Sequence, residues 1–179
     1  MKRRFKIGSV FTNPVVLHDW GQHLDRWHLR PAANLLDRLS RIWFSCWIPH
    51  TVKMGRNCSF GYGGLGCIIH SRAVIGNDVE CGAHVLIGGN ARSLGVPIIE
   101  DNVYIGFGAA IIGHITVGTG SVIGANSVVN RSVPPRCVAA GNPAQIVATD
   151  IEIDEYLYHK RTNRAEVPGP LVAIRERTR

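Results

Sequence analysis

The chain has 179 residues, of which 45% are hydrophobic, and its twenty Lys/Arg against thirteen Asp/Glu give a formal net charge of +7. That length suits one domain with a real core, and the absence of any run of eighteen apolar residues excludes a membrane-spanning helix. The five cysteines are odd in number and form no CxxC pair, which speaks against a disulfide framework or a zinc knuckle and for a reducing, cytoplasmic compartment.

Residues 1–47 hold eight Lys/Arg and three Asp/Glu, so most of the basic excess sits here. The opening MKRRFKIGSVFTNP is basic but has no apolar core of signal-peptide length. From about Asn13 to Trp47 the pattern predicts two helices. Leu24, Trp27 and His28 give a weak stripe; Pro31 is placed like a first-turn proline, and Leu35, Leu36, Leu39, Ile42 and Trp43 give a stronger one. Arg30, Arg38 and Arg41 lie among them. Leucine and tryptophan at helical spacing want burial, so this arm is expected to cap the body that follows or to pack on a neighbouring subunit. The alternative is peripheral contact of a basic amphipathic surface with a membrane. A nucleic-acid partner is not expected, because the basic excess carries no aromatic-interleaved stripe and no reader motif.

From Ile48 the chain repeats every six residues. The phase runs through Ile48, Met54 and Phe60, resumes at Ile69, Ile75, Cys81 and Ile87, and resumes again at Ile99, Ile105, Ile111, Val117, Ile123 and Val129. Each unit opens on an aliphatic or similar apolar residue, often followed by a small one. Six residues make one short strand and a corner. Three units close a triangular coil, and stacked coils pair as parallel strands about 4.8 Å apart. The opening residue points inward, while Gly, Asn and Asp suit corners where φ is positive. Phe60 to Ile69 is three residues too long, and Ile87 to Ile99 lacks or loops out one strand position. The stretch 88–97 has loop composition, and insertions in a solenoid leave on its surface. The tail after Ala148 is polar and is expected to run along the body or fray. The reading is therefore a mainly β chain: helical arm 1–47, hexapeptide-repeat β-helix 48–147, C-terminal tail 148–179.

The body from Ile48 to Val147 resembles the left-handed parallel β-helix acyltransferases of the hexapeptide-repeat superfamily. It is most similar to their serine-acetyltransferase-like branch, which includes O-acetyltransferases of polysaccharide gene clusters. The resemblance rests on the segment Phe60 to His70, on Ile87-Gly-Gly-Asn90, on Pro97 to Gly106, on Ile123 to Val129 and on the close from Val133 to Val147. It implies the left hand, a homotrimer, and acetyl-CoA as cosubstrate lying between coils. It also implies direct transfer to an acceptor hydroxyl near loop 88–97, with histidine as general base and no metal.

Direct transfer needs a base of near-neutral pKa, N–H groups for charge on the thioester oxygen, and a surface for the CoA phosphates. Beyond the first unit the repeat body holds His70, His84 and His114. His70 occupies the second place of its unit, where a small residue is usual, and it matches a histidine of the polysaccharide-type branch. His84 lies close to the loop. These two are the candidate catalytic residues. Tyr62, Asn90 and Arg92 are the candidate acceptor contacts; Gly89, Gly108 and Ala125, at small corner positions, together with Arg131 and Arg136 are those for CoA. Serine acetyltransferases carry an Asp-His pair where this chain has Gly61-Tyr62, and a later histidine where it has Val96. That departure favours a sugar or polysaccharide precursor as acceptor over serine, with serine O-acetylation as the alternative. From other classes, the same coil suits a non-catalytic scaffold or a zinc enzyme of the gamma-carbonic-anhydrase type.

Overall fold

The computed structural model describes residues 13–90 and 94–156. Helix α1 (Pro14–Arg26) starts where Asn13 Oδ1 accepts the Val15 amide at 2.9 Å, with Pro14 in the first turn. Helix α2 (Arg30–Phe44) follows after a tight reversal at Trp27–Leu29, where His28 has φ 60. Among the described residues the strands are then β1 (Lys53–Met54), β2 (Ser59–Phe60), β3 (Ile68–Ile69), β4 (Val74–Ile75), β5 (Glu80–Cys81), β6 (Leu86–Gly88), β7 (Ile98–Ile99), β8 (Tyr104–Ile105), β9 (Ala110–Ile112), β10 (Thr116–Val117), β11 (Val122–Ile123), β12 (Val128–Val129), β13 (Val138–Gly141) and β14 (Ala144–Ala148).

Successive strands take successive faces of a prism. Face 1 is β1-β4-β7-β10, face 2 is β2-β5-β8-β11-β13-β14, and face 3 is β3-β6-β9-β12. All pairs are parallel except β13 with β14, an antiparallel hairpin that ends the stack. The fold is the parallel β-helix expected from the repeat, with the left hand that the resemblance implies. Register stacks like on like: Ile69 pairs with Ile87, Ile87 with Ile111 and Ile111 with Val129 on face 3; Ile75, Ile99 and Val117 do the same on face 1. These opening residues are buried, and they fill the axis as the six-residue phase predicts. The second place is small because the next coil passes there: a methyl on Gly106 would run into the Ala125 backbone.

The corners differ. Two of them use left-handed backbone two residues before each strand: Asn57, Asp78, Asn102, Gly120 and Arg136 between faces 1 and 2, and Gly66, His84, Gly108 and Asn126 between faces 2 and 3. The corner between faces 3 and 1 has no such row and holds the longer insertion. There the chain passes straight from β6 on face 3 to β7 on face 1, so the extra unit is looped out. The shorter insertion forms a 3-10 turn over Gly61–Gly64 at the corner between faces 2 and 3.

The arm caps the first coil only in part. Helix α1 buries Val15, Val16 and Leu17, and His18 Nε2 and Gln22 Nε2 lie 3.1 and 3.0 Å from the Val52 carbonyl oxygen. Helix α2 turns the other way. Its packed side is Ala33, Ser40 and Phe44, with Asp37 bonded to His50, whereas Leu35, Leu39, Ile42 and Trp43 face outward. The expectation that this stripe is buried in the cap is corrected. Amphipathic spacing identifies an apolar face but does not say which side meets the body, and here small residues allow the closer approach. Past Ala148 the tail adds a 3-10 turn at Ile153–Glu155. Residues beyond Tyr156 lie outside the described part.

Candidate functional site

The structure distributes the candidate residues over the corners of the prism. Tyr62, His84, Gly108 and Ala125 lie on the corner between faces 2 and 3. His70, Gly89, Asn90 and Arg131 lie on the corner between faces 3 and 1. Arg136 lies on the remaining corner, where it pairs with Glu152 at 3.3 Å. Arg92 falls outside the described residues.

His84 stands out on its corner. It takes φ 58 in a row otherwise filled by Gly66, Gly108 and Asn126. Histidine enters this region at a modest cost, and its amide is fixed by the Leu65 carbonyl at 2.7 Å. The exposed ring leans on Phe107, with centroids 5.2 Å apart and planes tilted by 58°. Above it Gly66, itself at φ 68, leaves the space that the imidazole takes; a Cβ there would collide with His84 Nδ1. Next to this cradle the 3-10 turn presents Tyr62, 86% exposed and at φ 53. The sequence signal for the cradle was present, since an imidazole replaces Gly or Asn at a corner place. Phe107 was missed because aromatic residues at corners carry no pattern of their own.

His70 is half-buried at the end of β3, and its amide donates to the Ile87 carbonyl at 2.8 Å. Its Nδ1 accepts the Arg72 amide at 3.1 Å. That contact requires a lone pair on Nδ1, so the neutral ring carries its proton on Nε2. His70 is thereby set up as a hydrogen-bond donor, which is the reverse of what a general base needs at Nε2. Below it the described ends of the loop, 88–90 and 94–97, touch the neighbouring coils. Arg72 donates to the Leu94 carbonyl at 2.6 Å. Gly95 sits directly against His114, and the Asn90 amide lies over Gly113, where φ is 102.

Sequence reasoning also passed over a buried pair in the first unit. His50 Nδ1 lies 2.8 Å from Asp37 Oδ2, and the His50 amide donates to Asp37 Oδ1 at 3.0 Å. Both side chains are nearly inaccessible, and the pair clamps α2 to the first coil. The five cysteines are all free and buried. Burial pushes the Cys67 thiol up to about 11 and raises Cys81 and Cys46 as well. These cysteines read as core residues, not nucleophiles. Among the described residues no three His, Cys, Asp or Glu side chains converge as metal ligands would, and His84 sits on a different corner from His70 and His114.

Residues 97–131 match the profile of the family described as "Bacterial transferase hexapeptide (six repeats)". The serine acetyltransferase of Escherichia coli (strain K12) is 41% identical over 120 residues, which are 66% of this chain and 44% of that protein. The soybean serine acetyltransferase apoenzyme superposes with a TM-score of 0.70 at 38% identity, covering 75% of this chain and 56% of that one. The serine acetyltransferase of Brucella abortus strain S19, solved in complex with coenzyme A, gives 0.71 at 31% identity, covering 75% and 54%. The chain thus spans about half the length of these relatives.

Proposed function

We propose that this chain, whose repeat body belongs to the hexapeptide-repeat superfamily, is an O-acetyltransferase that moves the acetyl group of acetyl-CoA directly to a hydroxyl of a small acceptor. The observation that carries this reading is the pair of opposed histidines on the two corners that flank face 3. His84, held in its Gly66–Phe107 cradle with the ring exposed, takes the hydroxyl proton. His70, with its proton on Nε2, donates toward the thioester oxygen as charge builds there. The acetyl C–S bond breaks as the new C–O bond forms, and CoA leaves as its thiol once the proton reaches sulfur. Gly89, Gly108, Ala125 and Arg131 are the cofactor contacts of this reading. Tyr62 and Asn90 are its acceptor contacts, and Arg92, outside the described residues, is the third candidate. Arg136, tied to Glu152 on the third corner, falls away from it.

One prism cannot bring both histidines to one hydroxyl. His70 is in register with Gly88, four residues along β6 from His84, or roughly 13 Å. The outer side of face 3 between them carries Ile68, Leu86, Ala110, Ile112 and Val128. A ring of three copies with face 3 turned to the axis covers that apolar ladder and sets the His84 corner of one copy against the His70 corner of the next. The homotrimer is part of the proposal, as is placement in the cytoplasm, which five unpaired thiols suit.

For the acceptor, the relatives named above favour serine over a sugar. A second reading, a sugar hydroxyl, is kept because Gly61-Tyr62 and Val96 replace the histidines of serine acetyltransferases. Free-thiol release from acetyl-CoA with serine, simple sugars and nucleotide sugars tests both. Release with serine supports the first and release with one sugar class the second. No release with any, together with no heat of acetyl-CoA binding, overturns the transferase.

A further inference from the structure

We propose that the outer face of α2 docks the protein onto an anionic membrane surface. This inference does not depend on the acetyl-transfer reading. Helix α2 packs Ala33, Ser40 and Phe44 inward with Leu36 partly buried against the core, and leaves a second apolar stripe outside, where Ile42 is 80%, Trp43 60% and Leu35 55% exposed. A contiguous apolar stripe left uncovered on a helix calls for an occupant.

Charge selects the occupant. The exposed residues of α2 include Arg38 and Arg41, together with Arg30, which is paired with Asp25 of α1 at 3.1 Å, and no acid is among them. Its single carboxylate, Asp37, points inward to His50. Arg41 lies 5.9 Å over the Trp47 ring at the end of α2. Arginines beside a Leu, Ile and Trp stripe let the apolar side chains enter the acyl boundary while the guanidiniums reach lipid phosphates. Trp43, and Trp27 in the turn before α2, are suited to the headgroup level. Among the described residues no helix is long and apolar enough to cross a membrane, and the contact proposed is a peripheral one. A second copy is the poorer fit, because self-docking through this face sets Arg38 and Arg41 against their own mates.

The test is sedimentation of the full chain with vesicles of phosphatidylcholine alone and with vesicles carrying about one-third phosphatidylglycerol. The expected result is binding about tenfold or more tighter to the anionic vesicles, weakened by salt. Ile42→Glu and Arg38→Glu should each lose most of that binding while the helical circular dichroism and the subunit number by light scattering stay unchanged. Absent binding by the wild type, or equal binding by both variants, overturns the proposal. A change in subunit number with Ile42→Glu also overturns it and assigns the stripe to contact between copies.

Discussion

The left-handed backbone at His84 costs about 1–3 kcal/mol relative to a relaxed residue, and a Gly-walled cradle with an aromatic prop surrounds it. If His84 is the base of the proposed transfer, its removal should act on chemistry rather than on folding. His84→Ala is expected to lower kcat by about 10²–10⁴ with an unchanged circular dichroism spectrum. Gly66→Ala, which sets a Cβ into the imidazole at φ 68, should lower both activity and melting temperature, the backbone part alone by more than about 1 kcal/mol. The buried thiols supply a check on the core. With Cys67 near 11, its thiolate is scarce at pH 8, and native protein should resist iodoacetamide that labels all five cysteines after denaturation. The place of His70 was legible, because an imidazole at a small-residue position breaks a strong pattern, and His84 was singled out by its nearness to loop 88–97. The opposed roles proposed for them were not legible, since a tautomer depends on the Arg72 amide that folds back on His70, and no repeat encodes that contact.

At the scale of elements, the six-residue phase translated directly into strands because period and geometry coincide: one apolar residue inward, one small residue where the next coil passes. Both interruptions of the phase became corner insertions for the same reason. What spacing left open was direction. The stripe on α2 was visible, yet its outward turn depends on Ala33 and Ser40 fitting against the coil and on Asp37 reaching His50. That clamp predicts its own cost. Asp37→Ala leaves the His50 amide and ring without their acceptor in a nearly inaccessible place, and chemical denaturation should show a loss of about 2 kcal/mol. In the loop, Arg72→Ala removes the tie to the Leu94 carbonyl. If loop 88–97 shapes the acceptor side, the acceptor KM should rise several-fold, within the order of one lost charge-assisted bond, while that for acetyl-CoA holds. A matching rise in both would place the loop on the cofactor side.

For the whole molecule, the resemblance read from the repeat gave the coil and its hand, and the placing of His84 and His70 on the two edges of one face emerged only from the topology. The proposed transfer joins those two edges across a ring of copies, and so ties activity to assembly. The most direct test mixes two inactive proteins. His70→Ala and His84→Ala are unfolded together, refolded as mixed rings, and assayed for thiol release from acetyl-CoA with the best acceptor of the panel. If each site takes His84 from one copy and His70 from the next, random mixing restores one site in four, or about 25% of wild-type activity. Activity that stays at the level of the separate variants would contradict a site shared between copies.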